Sequence, residues 1–252
     1  MSDYDRGFPR TVPAGAADMA VDAGLRGFML GVYNKVALGL LVSAALAFLT
    51  ASYPPVRDLL YRVTEDGRLV GFTTLGMIVK FAPLLMILAL MFGMRNPSPR
   101  SAGIFYWVIV ATIGAGLGVW ILAYTGVSVA ATFLITATAF GGLSLFGYVT
   151  KKDLSGIGSF LIVGLIGIFI AMLANFFLHS AMLAFVVNVI GVLIFAGLIA
   201  FDTQKLKMTY YALGGNQAAM NVATSFGALR LYLDFINLFQ FLMMLFGGGS
   251  RR

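Results

Sequence analysis

Seven apolar windows, near residues 30–52, 73–94, 104–125, 128–149, 157–178, 181–202 and 223–247, take up most of this chain. Each comes close to the roughly 20 residues that a helix needs to cross the hydrocarbon core of a bilayer. Only 11% of the 252 residues are charged, and 60% are hydrophobic, which leaves no room for a soluble catalytic domain. The expected fold class is an all-α integral membrane protein, a bundle of seven transmembrane helices.

Turn and charge signals separate the windows: Tyr53-Pro54-Pro55 and Glu65-Asp66-Gly67, Asn96-Pro97-Ser98-Pro99, Lys151-Lys152-Asp153 and Gly214-Gly215-Asn216. The breaks between the third and fourth windows and between the fifth and sixth are short enough to be tight hairpins. Residues 1–27 mix small and charged side chains with no signal-peptide apolar region. They read as a mobile cytoplasmic tail ahead of a transmembrane domain over 28–252. Nine basic residues fall on the N-terminal side of the bundle (Arg6, Arg10, Arg26, Arg95, Arg100, Lys151, Lys152, Lys205, Lys207) against five on the other (Arg57, Arg62, Arg68, Arg251, Arg252). An excess of Lys and Arg marks the cytoplasmic side, so the N-terminus is expected inside and the C-terminus outside. The net charge of +7 therefore reports topology, with no nucleic-acid patch behind it.

The chain has no cysteine and a single histidine, His179. Disulfides, thiolate metal sites, a cysteine nucleophile and any site needing two imidazoles are thereby excluded.

Of ten acidic residues, only Asp202 and Asp234 lie inside apolar spans. A carboxylate at mid-membrane costs about 2.5 to 3.5 kcal/mol on insertion scales, so it faces a partner or a wet cavity, and its default reading is functional. The plainer alternative is a pair of hydrogen-bonding groups that stabilise the bundle. With the N-terminus inside, Asp202 ends the sixth span near Lys205 and Lys207, and Asp234 lies two or three turns into the seventh. The two could meet in the cytoplasmic half, where they would titrate as one unit and share a proton.

Several cations could answer them. Arg95 closes the second window at the level of Asp202 and suits either a charge-assisted pair or an interfacial anchor. Arg230 precedes Asp234 by four residues, on the same helix face. Lys35 and Lys80 sit near span ends, where their stems are expected to snorkel to the interface. Asn188 and Asn237 are expected to bridge helices, and His179 to be incidental in its hairpin. Gly114, Gly116, Gly118, Gly141, Gly142, Gly164 and Gly167 read as close-packing positions between helices, and Pro83 as a kink in the second.

The runs Ala131-Thr132-Phe133-Leu134-Ile135-Thr136, Ser144-Leu145-Phe146-Gly147-Tyr148, Lys151-Lys152-Asp153-Leu154-Ser155 and above all Leu231-Tyr232-Leu233-Asp234-Phe235-Ile236-Asn237-Leu238-Phe239 resemble the Bax inhibitor family, in a bacterial form. The resemblance implies a bundle in which the last helix is central and wrapped by six others. It implies a pH-sensitive calcium leak channel of the inner membrane, not an enzyme, with Asp202 and Asp234 as proton sensor and Arg95 as latch. Calcium would be the permeant ion, with no tightly bound cofactor. Gln204 and Asn237 could add oxygens to a transient, weak calcium set of the kind conduction needs. Arg230 departs from the family pattern, which carries a small polar residue there; a fixed cation one turn from Asp234 repels calcium. Two rivals stand beside this reading. One is a regulator acting through contacts with a membrane protease or other partner. The other is an intramembrane aspartyl protease, which the residues around Asp234 fit poorly because Leu231-Tyr232-Leu233 replaces the expected Gly-x-Gly.

Overall fold

A computed structural model describes residues 14–93 and 97–247, with side chains described from residue 22 to 90 and from 97 onward. The elements run α1 (Ala14–Ser52), α2 (Pro54–Leu60), β1 (Tyr61–Val63), β2 (Leu69–Phe72), α3 (Thr74–Gly93), α4 (Pro99–Ala123), α5 (Gly126–Val149), α6 (Ser155–Leu178), α7 (Ala181–Ala212) and α8 (Gln217–Phe246). Six of these helices, α1 from Asp22 and α4 to α8, are long and apolar enough to cross a membrane. The chain is an all-α, multi-pass membrane protein. Among the described residues six spans are counted, with α3 contributing a described apolar stretch of Thr74–Leu90.

Helix α1 starts at Ala14, ahead of the boundary at 28 expected for the transmembrane domain, and Leu25 is buried; residues 1–13 lie outside the described residues. Between the first two apolar windows the chain folds into a short helix and a two-stranded antiparallel hairpin. Pro54 and Pro55 open α2, where a missing N–H costs nothing. Gly67, at φ 75°, supplies the left-handed turn residue between strands too short to span. The Tyr61 hydroxyl ties the hairpin to α4, donating to the carbonyls of Ala115 (2.9 Å) and Gly116 (3.1 Å).

The helices fall into two groups. Helix α1 packs extensively on α4, which also carries α3, while α7 carries α5 and α6; direct contact between the groups is sparse. Helix α8 packs against α1, α4, α5 and α7, and 61% of its most apolar window is buried, against at most 33% in the other spans. Small residues make the α1–α4 seam: a Cβ at Gly114 would stand 2.6 Å from the Ser43 Cα, and one at Gly118 would strike the Thr50 hydroxyl. Gly164 likewise faces Ile194. Gly116, Gly141, Gly142 and Gly167 face open space, so they do not serve the close packing expected of them. Gly147 does instead, lying against the Ala200 carbonyl of α7.

Candidate functional site

The turn between α7 and α8 brings the two intramembrane acids onto facing helices. Gly214 (φ 53°) and Gly215 (φ 83°) reverse the chain, and the Asn216 carboxamide caps α8 by accepting from the Ala219 N–H at 3.1 Å. Helices α7 and α8 then run antiparallel in extensive contact. Gly227 lets Leu206 of α7 sit flush on α8, since a Cβ there would strike the leucine methyl.

The carboxyl groups of Asp202 and Asp234 face each other across α7 and α8, close enough to interact electrostatically. Asp234 is 6% exposed, and its Oδ2 has no hydrogen-bond partner within the protein. Asp202 faces outward from the pair, with its Oδ1 3.8 Å from Arg230 Nη1. That is an ion-pair distance too long for a hydrogen bond. The guanidinium itself is half exposed. Asp202, Lys205, Leu206, Thr209, Ala223, Phe226, Gly227 and Arg230 line a pocket of about 130 Å³ that opens beside the pair. A cation halfway along an apolar helix faces a protein partner or a water-filled cavity, and Asp202 supplies the partner here.

The remaining site residues are placed differently from one another. Gln204 does not face the pair: its amide donates to the Lys152 carbonyl and its oxygen accepts from the Leu154 N–H, both at 2.8 Å. Both ends of the side chain are spent fastening the α5–α6 turn to α7. Asn237 donates to the Leu233 carbonyl of its own helix at 2.8 Å, so it bridges nothing. Arg95 lies outside the described residues. Among the described residues no group of three or more His, Cys, Asp and Glu gathers as a metal cluster.

Three polar contacts inside the bundle were not expected. Lys35 turns inward instead of snorkelling, giving its ammonium to the Ser225 hydroxyl of α8 at 2.6 Å and standing 5.7 Å from the Tyr106 ring centroid. Val32 and Val36, both buried, flank it on the inward face of α1, a helical spacing that signalled the direction. The Thr203 hydroxyl donates to the Ser144 hydroxyl at 3.3 Å, joining α7 and α5, with Tyr33 of α1 close by. Ser43 donates to the Val110 carbonyl at 3.2 Å and pairs with the Tyr232 hydroxyl at 2.7 Å, tying the α1–α4 seam to α8. By contrast Lys80 is exposed, with its ammonium over the Phe72 ring of the hairpin. His179 is the left-handed residue that ends α6.

A multi-pass helical membrane protein whose last two helices face each other through a buried carboxyl pair is the class defined by this fold and site. The chain belongs to the Bax inhibitor family: the family model described as inhibitor of apoptosis-promoting Bax1 matches residues 25–251. It is 64% identical to a protein of Caulobacter vibrioides over 98% of this chain and 99% of that one. It is 39% identical to the inner membrane protein YbhL of Escherichia coli, over 89% of this chain and 93% of YbhL.

Proposed function

We propose that this chain is a pH-sensitive calcium leak pathway of the inner membrane, gated by the Asp202–Asp234 pair. In this reading the bundle crosses the membrane seven times, α3 included, with α8 at its centre and the N-terminus in the cytoplasm. The inner-membrane assignment takes its support from the printed name of YbhL, and the orientation from the basic loops. One observation carries the gate: two carboxyl groups facing each other, one of them buried with an unsatisfied oxygen.

Two carboxyl groups facing each other in an apolar setting cannot both ionise cheaply, so in this reading the closed pair shares a proton. Loss of that proton leaves two like charges in a medium of low dielectric, which must separate or recruit a cation. Calcium, which takes oxygen ligands in flexible geometry, suits such a site when binding stays weak. Arg230 is the cation that the geometry offers as latch, standing at ion-pair distance from Asp202; Arg95, the latch expected from the sequence, would supplement it. Gln204 spends its amide on the α5–α6 turn, so this reading gives it no ion ligand role.

Calcium flux into proteoliposomes across a pH series tests the proposal. The wild type should show flux that depends on pH, and Asp202→Asn or Asp234→Asn should abolish the flux or flatten its pH profile. Absence of flux from a folded wild type, or profiles identical in all three proteins, would sink the channel reading and favour a regulator acting through partner contacts.

A further inference from the structure

Helices α1 and α5 stand apart in the half of the bundle that carries Arg26, Lys151, Lys152 and Lys207. Their separation leaves a cleft of about 420 Å³ lined by Met29, Leu30 and Tyr33 from one helix and Phe140, Gly141 and Leu145 from the other. Direct contact between these two helices is minor or absent among the described residues. At the cleft floor the Ser144 hydroxyl accepts from Thr203, and the exposed lining is predominantly apolar. Gly141 keeps the wall open, since a Cβ on it would meet nothing within 4 Å.

The mouth is cationic. Arg26 lines it and is exposed, and among the described residues no carboxylate lies in ion-pair range of it. Tyr148 lines it as well, and Lys207 donates its ammonium to the Tyr148 carbonyl at 3.2 Å, leaving two N–H groups to spare. An apolar slot between spans, with Arg26 in its lining and Lys207 bonded to the backbone of the lining residue Tyr148, has the chemistry of one ligand class.

We propose that the α1–α5 cleft binds an anionic phospholipid, with an acyl chain between Leu30 and Phe140 and the phosphate held by Arg26 and Lys207. Basic pockets between membrane helices hold acidic headgroups in this way, each cation contributing about 1 kcal/mol, or about fivefold in affinity. The chain is drawn in by packing and by the displacement of more mobile bilayer lipid.

Native mass spectrometry of the full chain in detergent, supplied with phosphatidylglycerol, with phosphatidylcholine of the same acyl chains, or with glycerol phosphate alone, tests the site. Phosphatidylglycerol should be retained preferentially, and glycerol phosphate should neither bind nor compete. Arg26→Gln and Lys207→Gln should each weaken retention by about fivefold. Gly141→Leu should abolish it by filling the slot. Gly116→Leu, equally unobstructed but on α4, should leave it unchanged, which separates loss of the site from a general effect on folding. Equal retention of phosphatidylcholine, full retention by folded Gly141→Leu, or competition by glycerol phosphate would each overturn the proposal, the last in favour of a soluble-anion site.

Discussion

Asp234 Oδ2, buried and without a partner in the protein, is the most expensive atom at the site, because an unsatisfied polar group in an apolar interior forfeits its hydration for nothing. Such an atom is tolerated where something else visits it, and a proton or a passing cation fits. Arg230 controls the charge beside it. Replacing it with Gln removes a fixed positive charge 3.8 Å from Asp202. Since the guanidinium is half exposed and screened, calcium flux in proteoliposomes should rise by a modest factor, about fivefold, with the fold intact. The Ser43–Tyr232 contact is structural by comparison. Tyr232→Phe should lower thermal stability by about 1 kcal/mol without altering the pH profile of flux. Both acids were legible in the sequence because a carboxylate in an apolar run stands out. The fates of Gln204 and Lys35 were not. Each is decided by a partner on another helix, the α5–α6 turn for one and Ser225 for the other, and spacing along one helix gives a direction at most.

Hydropathy and punctuation located the helices well, since lipid demands length and Pro or Gly marks the ends. The α2–hairpin segment escaped because a polar stretch between spans carries only a weak, local turn signal, Glu65-Asp66-Gly67. The glycines divide for the same reason. Their value depends on which helix stands opposite, so Gly114 and Gly118 pack closely on α1 while Gly116, one turn face away, does not. Gly114→Leu should therefore cost about 1 to 3 kcal/mol through overpacking, and Gly116→Leu close to nothing, as read by thermal unfolding in detergent.

At the scale of the molecule, the sparse contact between the α1–α3–α4 group and the α5–α6–α7 group predicts that stability is not uniform. In hydrogen exchange, Gly114→Leu should speed exchange in α1 and α4 and leave α6 and α7 near their wild-type protection. Equal loss across all helices would instead mark the bundle as one cooperative unit. Both groups rest on α8, and α8 follows every one of its partners along the chain. During synthesis the two groups are therefore in the membrane before the surface that joins them. Asp202 waits there without the acid it will face, so assembly of the protein and completion of its charged centre are the same late event.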